Sequence, residues 1–179
     1  IPIISNVIPL AWATGADVYV KELDKSYLES LNKIKSVMKR WYPELPFSTN
    51  INVEEIVSNR FGNEGYGLLF SGGIDSTSSY IKHKKKKPIL IMVWGADIPL
   101  DREEFWRKVK SRYSDFADQE NSEITFIKTN MRQFINERLL TMKFGRFLTA
   151  SDWCGALHHG IGLLGLCAPI SVADQLKTI

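Results

Sequence analysis

One stretch decides the fold of this chain: Gly-Tyr-Gly-Leu-Leu-Phe-Ser-Gly-Gly-Ile-Asp-Ser-Thr, residues 65–77. The apolar run at residues 68–70 predicts a buried strand, and a helix is expected to begin directly after the two glycines. Gly72 and Gly73 have no Cβ, so the backbone can turn sharply and an anion can lie against its N–H groups. Because a helix N-terminus carries unpaired N–H groups and a positive dipole end, the turn is a predicted phosphate site.

The side chains around this turn exclude two common phosphate loops. A Walker A loop requires a lysine after its second glycine, and the dinucleotide fingerprint Gly-x-Gly-x-x-Gly requires a third glycine. Residues 71–77 contain neither feature. They offer instead the hydroxyl groups of Ser71, Ser76 and Thr77 and the carboxylate of Asp75.

The Ser-Gly-Gly-x-Asp-Ser pattern of residues 71–76 resembles the signature of the PP-loop ATP pyrophosphatases. This superfamily of adenine nucleotide alpha hydrolase-like enzymes cleaves ATP between its α and β phosphates. The resemblance implies that the loop binds the pyrophosphate end of ATP and that Asp75 is both a catalytic residue and a ligand of Mg²⁺. The implied nucleotide-binding residues of the loop are Ser71, Gly72, Gly73, Ile74, Asp75, Ser76 and Thr77. The alternative is an ordinary strand–turn–helix corner with a serine or aspartate N-cap.

Strands and helices alternate after this loop. Residues 88–94 and 124–127 are apolar or β-branched runs that predict parallel strands, separated by a charged helix over 101–113 and a polar loop over 115–122. Residues 131–140 have helical spacing after a candidate cap at Asn130. This order predicts an α/β fold. The resemblance refines it to a three-layer, Rossmann-like parallel sheet of the adenine nucleotide alpha hydrolase-like type.

A small α+β N-terminal unit is expected over residues 1–60, ahead of a nucleotide-binding domain over residues 61–179. Its predicted strands lie at 3–4, 7–8, 17–20 and 51–53, with Pro2, Pro9 and Gly15 as turn residues around the first three. A short helix is expected after the last strand. A longer helix, capped by Asp24 or Ser26, has an apolar face formed by Leu28, Leu31, Ile34, Val37, Met38 and Trp41. A fourth strand of the second domain is expected at 176–179. PP-loop domains usually have at least one strand more, so the domain is expected to be truncated at its C-terminus.

The end of the strand at residues 88–94 is a second candidate for ligand binding. Ligands of parallel sheets lie beyond the carboxyl ends of the strands. In PP-loop proteins the backbone at this place contacts adenine, so the resemblance implies a nucleobase site at Trp94, Gly95 and Ala96. Asp97 is a candidate for binding ribose, magnesium or the second substrate, and a plain turn residue before Pro99 is the alternative.

Residues 143–167 carry further candidates. Lys143 and Arg146 are expected to stabilise the negative charge that grows on departing pyrophosphate, with plain surface charges as the alternative. Ser151 or Asp152 is the expected N-cap of a buried, apolar helix over 153–167. Candidates for lining the substrate side of the cleft are Trp153, His158 and His159.

Cys154 and His158 share a helical face, because they are four residues apart. A zinc site usually requires three or four protein ligands, and the chain has only one other cysteine, Cys167. The sequence therefore disfavours a metal site here. A hydrogen-bonded core histidine is the expected role for at least one of His158 and His159.

Composition excludes little. The 179 residues carry 23 basic and 20 acidic side chains, a net charge of +3, so no strong overall field favours nucleic acid. Two cysteines suit a reducing cytoplasm. The sequence predicts neither a signal peptide nor an apolar run of membrane-spanning length. The lysine run at 84–87 and the basic helix face at 33–40 are expected to be solvated, with tRNA binding as the alternative.

The resemblance implies an ATP-dependent adenylating enzyme that forms AMP and pyrophosphate. ATP and Mg²⁺ would be required, and an oxygen of an unknown acceptor would be activated for attack by an amine, ammonia or sulfur. The acceptor is a small molecule or tRNA, no membrane partner is expected, and a homo-oligomer is left open. The alternatives are a module that binds ATP or AMP without cleaving it and a tRNA-binding modification component.

Overall fold

A computed structural model describes residues 1–59, 64–149 and 152–179. Its helices are α1 (Pro2–Thr14), α2 (Lys25–Trp41), α3 (Ile74–His83), α4 (Glu103–Gln119), α5 (Met131–Phe134), α6 (Glu137–Phe144), α7 (His159–Leu166) and α8 (Ala168–Ala173). Its strands are β1 (Val18–Asp24), β2 (Ile51–Val57), β3 (Gly65–Leu69), β4 (Ile89–Trp94), β5 (Ile124–Lys128) and β6 (Leu176–Thr178). A π-helix, Cys154–His158, precedes α7, and two short 3₁₀ turns lie at Lys84–Lys86 and Gly145–Phe147. The chain is therefore an α/β protein with parallel sheets.

The chain forms two compact units. The first comprises Ile1–Arg60 and Asn136–Leu166, and the second comprises Phe61–Ile135 and Cys167–Ile179. Residues 136–166 thus group with the beginning of the chain, because α7 packs against α1. The expected division into domains at residue 60 stays a prediction, since compactness alone does not define a domain.

In the first unit, β1, α2 and β2 form a βαβ motif. The two strands are parallel, with Val18 opposite Ile51 and Asp24 opposite Val57. The pairing extends β2 to Val57, so the predicted short helix after residue 53 is wrong. The predicted cap at Asp24 is confirmed, because its Oδ1 accepts a hydrogen bond from Tyr27 N at 2.9 Å.

The buried cap of α2 also anchors the end of the first unit's sheet. Asp24 Oδ2 accepts hydrogen bonds from the backbone and side-chain nitrogens of Asn59, each at 3.0 Å. Burial favours the neutral carboxyl, but the hydrogen bonds from Asn59 and Tyr27 outweigh it and hold the pKa of Asp24 below its usual value.

Two further expectations for the first unit are wrong. Residues 3–4 and 7–8 lie in α1 rather than in strands, because Ile4, Ile8 and Trp12 recur every four residues and are buried together. The sequence analysis took Pro9 for a break, whereas α1 continues through it to Gly15. Trp41, expected on the buried face of α2, is 61% exposed.

In the second unit, four parallel strands have the order β5-β4-β3-β6. This sheet confirms the strands expected at 68–70, 88–94, 124–127 and 176–179, with shifts of a few residues at their ends. The core against the sheet contains Phe70, Tyr80, Leu90 and Ala117. Ala117 lies in α4, which runs to Gln119, so the polar loop expected over 115–122 is wrong for its first half. The helix expected over 131–140 is interrupted by the extended residue Ile135.

One helical stretch, Cys154–Ala173, is long and apolar enough to span a membrane by length and composition alone. The expectation that no apolar run of this length exists is therefore wrong. Core helices of soluble proteins meet the same criterion, so a cytoplasmic location without a membrane partner stays a prediction. The expected burial of this helix is only partial, since Leu164 is 54% exposed.

Candidate functional site

The loop at residues 71–73 follows the strand at which the sheet reverses its order. The chain passes from β3 to β4 and β5 on one side, and β6 later pairs with β3 on the other side. Such a switch point opens a crevice at the carboxyl end of the central strands, where ligands of parallel sheets bind. Phe70 N donates a hydrogen bond to Ile91 O at 2.8 Å, which holds the last residue before the loop against β4.

Gly72 is the residue that this loop requires. Its φ of 74° lies in the left-handed region, and a Cβ built on it would lie 1.7 Å from the hydroxyl oxygen of Tyr113. The same hydroxyl donates a hydrogen bond to Ser71 O at 3.3 Å. The Tyr113 ring packs edge-on against Phe70, so α4 supports the loop from behind. Glycine is therefore needed at position 72 for both the backbone turn and the approach of Tyr113.

The helix after the loop begins without a side-chain cap. Gly73 is the N-cap in an extended conformation, and Thr77 N donates the first helical hydrogen bond to Gly73 O at 3.0 Å. No described side chain accepts a capping hydrogen bond at this end. The serine or aspartate cap of the alternative is therefore wrong for α3, while a corner without a ligand stays the alternative. Its first N–H groups and its dipole face the exposed end of the loop, which is a favourable arrangement for an anion.

Hydroxyl groups surround the same turn. Ser71 Oγ lies 3.4 Å from Ser76 Oγ and accepts a hydrogen bond from Gly73 N at 3.4 Å. Ser76 Oγ donates to Gly73 O at 3.1 Å, which keeps the second serine beside the first. Ser71, Gly73 and Asp75 are exposed to solvent. The site is open to a ligand, and its weak internal hydrogen bonds can be exchanged for hydrogen bonds to phosphate oxygens.

The predicted nucleobase residues lie at the end of β4, where the backbone also requires a glycine. Gly95 has a φ of 100°, and a Cβ there would lie 1.7 Å from Thr129 O. Gly95 N donates a hydrogen bond to Ile98 O at 2.9 Å, and Trp94 O accepts one from Thr129 N at 2.8 Å. These two backbone groups are already engaged and Ala96 is buried, so exposed Asp97 is the residue of this turn to which a ligand has freer access.

The Trp94 ring has neighbours on both faces. It stacks on Trp106 with ring centroids 5.4 Å apart, and the Lys128 ammonium lies 4.6 Å from its centroid. Trp94 Nε1 donates to Pro99 O at 3.2 Å. A nucleobase would have to displace Lys128 to stack on this ring. The nucleobase site at Trp94, Gly95 and Ala96 stays a prediction.

Five other predicted site residues belong to the first unit. Lys143 and Arg146 are exposed, and each lies over the ring of its neighbouring phenylalanine. Trp153 is completely buried and packs against Phe144. Their predicted roles toward pyrophosphate and substrate stay predictions, because the loop that they would serve belongs to the second unit.

His158 and His159 differ in environment. His158 is completely buried, and its Nε2 lies 2.9 Å from Asn6 Oδ1, which makes it the hydrogen-bonded core histidine that the sequence analysis expected for one of the pair. His159 is half-buried, and its Nδ1 lies 3.7 Å from Cys154 Sγ. Asp152 is the expected cap, because its Oδ1 accepts a hydrogen bond from Gly155 N at 2.7 Å. Ser151, the other candidate, lies outside the described residues.

Two cavities in the described part of the second unit lie at opposite ends of its strands. One groove of about 560 Å³ runs beside the loop along α3 and is lined by Gly72, Ile74, Thr77, Ser78, Ile81 and Lys82. A larger cavity of about 710 Å³ lies at the opposite edge of the sheet, where the strands begin. The smaller groove lies at the carboxyl ends of the strands, where ligands of parallel sheets bind.

Two functional candidates were missed by sequence reasoning. Tyr113 was counted only as the last residue of a helix, although its spacing from Phe116 already indicated a shared buried face. Glu137 was not singled out, because nothing near it in the sequence suggests a site.

Comparisons with protein-family models, with curated proteins and with solved structures found no match for this chain. The function is therefore inferred from the loop residues and their geometry.

Proposed function

We propose that this chain is a PP-loop ATP pyrophosphatase that cleaves ATP to AMP and pyrophosphate and thereby activates an oxygen of an acceptor substrate. The observation that carries the proposal is the uncapped N-terminus of α3 behind a Ser-Gly-Gly turn at the switch point of a parallel sheet. The proposal includes the finer fold, a three-layer sheet of the adenine nucleotide alpha hydrolase-like type. The strand order β5-β4-β3-β6 supports it.

The loop would act on the triphosphate by binding and orientation. The N–H groups at the start of α3 and the hydroxyls of Ser71 and Ser76 would donate hydrogen bonds to the β and γ phosphate oxygens. Negative charge grows on these oxygens as the bond to the α phosphorus breaks, so the same donors stabilise the departing pyrophosphate. No side chain of the loop needs to act as a nucleophile.

The residues present fit a magnesium ion. Asp75 places an exposed carboxylate in the first turn of α3, and Mg²⁺ binds through one or two carboxylates together with phosphate oxygens. Bound Mg²⁺ would supply positive charge to the phosphate oxygens during cleavage. The chain would contribute by holding Asp75 beside the phosphate donors at the start of α3.

The acceptor oxygen would attack the α phosphorus, and the adenylated oxygen would then leave when an amine, ammonia or sulfur attacks. Nothing in the described residues favours tRNA over a small acceptor. Lys84 forms an ion pair with Glu120, and Lys86 lies over the Tyr66 ring, so two members of the lysine run have partners within the chain.

Pyrophosphate release tests this proposal. The intact protein is incubated with ATP, Mg²⁺ and a panel of carboxylates, nucleobases and tRNA, and pyrophosphate and orthophosphate are measured separately. We expect pyrophosphate release that falls about 100-fold or more in Asp75→Asn. Asp118→Asn, which removes an exposed carboxylate from α4, is the matched control and should retain activity.

Orthophosphate release, or equal activity of Asp75→Asn and the parent, would contradict the proposal. Tight ATP binding without cleavage for any acceptor would favour the alternative of a nucleotide-binding module. An isothermal titration with a non-hydrolysable ATP analogue separates that outcome from the absence of a nucleotide site.

A further inference from the structure

Three side chains that can bind a metal converge in the first unit. They are Glu137 at the start of α6 and Cys154 and His158 at the two ends of the π-helix, and together we call them the buried donor cluster. One ligand atom from each, a carboxylate oxygen, the Sγ and a ring nitrogen, lies within 4.8 Å of the others. The separation of His158 Nδ1 and Glu137 Oε1 is 3.9 Å. The third ligand that the sequence analysis lacked is thus supplied by a separate helix.

The spacing suits a small divalent ion. Zinc–ligand bonds of about 2.0–2.3 Å place neighbouring ligand atoms of a tetrahedron roughly 3.3–3.7 Å apart. The separations within the donor cluster therefore need to shorten by at most about 1.5 Å to surround such an ion. Side-chain rotations of that size do not require a change of fold.

The hydrogen bond that His158 makes to Asn6 is also typical of a metal-binding histidine. Asn6 Nδ2 donates a hydrogen bond to Pro2 O at 2.8 Å, which assigns Asn6 Oδ1 as the atom facing His158. The imidazole proton then lies on Nε2, and Nδ1 is the ligand nitrogen on the side of Glu137 and Cys154. Metal-binding histidines typically donate their other N–H group to such an oxygen, which sets the ring orientation.

Burial makes the charge of this cluster important. His158 is completely buried, Cys154 is 4% exposed, and the Glu137 side chain is 17% exposed. A divalent cation bound here would compensate the charge of the carboxylate and of the thiolate that forms when the metal binds. The π-helix is a second indication, because π turns are rare and occur frequently at functional sites. The competing explanation is a buried Glu137–His158 ion pair with Cys154 as a neighbour.

We propose that the buried donor cluster binds one zinc-class divalent ion through the Glu137 carboxylate, Cys154 Sγ and His158 Nδ1. A thiolate ligand favours zinc over magnesium or calcium, and three protein ligands leave the fourth tetrahedral position for water. Binding deprotonates the Cys154 thiol, and the proton is released to solvent. The ion would join the start of α6 to the π-helix. This inference does not depend on the proposed ATP chemistry.

The test uses the full chain, purified with any affinity tag removed. Bound metal is measured by elemental analysis after exhaustive dialysis against zinc-free buffer, and the protein is then titrated with ZnCl₂ and, separately, with CoCl₂. We expect one zinc per chain, a rise in melting temperature with zinc, and a thiolate-to-cobalt charge-transfer absorption with Co²⁺. Cys154→Ser should remove that absorption, and Glu137→Gln should lower zinc affinity at least about 100-fold.

Cys167→Ala is the matched control, because it removes the other buried cysteine and should leave both metals bound. Asn6→Ala removes the oxygen that accepts a hydrogen bond from His158 Nε2, and it should lower zinc affinity about 10- to 100-fold. Substoichiometric zinc would overturn the proposal if circular dichroism shows that the parent chain is folded. So would stoichiometric zinc that survives in folded Cys154→Ser and Glu137→Gln, since it would then be bound elsewhere.

Discussion

The turn at residues 71–77 and the buried donor cluster are opposite kinds of proposed site. The turn comes from consecutive residues, 71–77, is exposed to solvent, and relies on backbone N–H groups at the start of a helix. The donor cluster combines side chains from two helices and is almost fully removed from solvent. The first kind can be read from a short motif, whereas the second exists only after the chain has folded.

The difference also concerns how each site tolerates change. The turn depends on the absence of side-chain atoms at Gly72, where added volume meets Tyr113. The donor cluster depends on the presence of particular atoms, supported by the packing of α1 against α7. Four predictions follow the comparison, from the largest expected effect to the smallest.

Gly72→Ala should have the largest effect on the turn. The substitution adds a Cβ in the left-handed region and forces Tyr113 to move, so nucleotide affinity should fall about 100-fold or more. Binding of a fluorescent ATP analogue with Mg²⁺ measures this. Gly145→Ala is the matched control, because its Cβ would make only ordinary contacts. Equal affinity of Gly72→Ala and the parent would refute the geometry of the loop.

Gly165→Ala should disrupt the packing of α7 against α1, which supports the donor cluster. A Cβ there would lie 2.2 Å from Ser5 Cβ in α1, so the substitution should lower the free energy of unfolding by about 1–3 kcal/mol. Gly160→Ala lies in the same helix with nothing within 4 Å of the added atom, and it should be neutral or slightly stabilising. Denaturation in urea compares the two. Similar losses in both variants would mean that α1 and α7 are not packed as described.

Tyr113→Phe tests whether the Tyr113 hydroxyl holds the turn in place. It removes the hydrogen bond to Ser71 O but keeps the ring against Phe70. We expect a loss of about 1 kcal/mol, seen as a roughly fivefold weaker affinity for the nucleotide analogue. A larger effect on the urea midpoint than on affinity would show that Tyr113 supports the core rather than the loop.

Cys167 should make the stability of the chain depend on pH. Burial raises the pKa of the Cys167 thiol from its ordinary 9.0 to about 11. Between pH 9 and pH 11 the unfolded chain has lost the thiol proton that the folded chain retains. The stability that the protonated thiol contributes is therefore complete below pH 9 and is lost as the pH rises toward 11. Urea midpoints at pH 8, 9, 10 and 11 should fall less steeply in Cys167→Ala than in the parent. Parallel curves would show that Cys167 does not contribute.

The loop shows why part of the site was predictable. Residues 68–77 contain an apolar strand, two glycines and a helix start in direct succession, and each of these is a local preference of the backbone. Asp24 was recognised as a helix cap for the same reason, because its oxygen bonds to Tyr27, three residues further on. Strand β6 was predicted from a few residues, and its parallel pairing with β3 needed the structure.

The errors arose where distant contacts overrule local signals. Pro9 looked like a break between strands, yet Ile8 and Trp12 are buried on one face of a continuous helix. Residues 54–57 looked helical, yet the ladder to β1 holds them extended. Trp41 continued an apolar spacing, yet it is 61% exposed at the end of α2.

The sequence by itself determined the strand, glycine turn and helix start of the proposed phosphate site, because these follow from neighbouring residues and the steric freedom of glycine. Only the tertiary structure decided that Tyr113 braces this turn, that residues 136–166 pack with the beginning of the chain, and that Glu137 lies beside Cys154 and His158. Contacts of that kind join residues far apart in the sequence. Their existence depends on how whole helices pack, which no local pattern encodes.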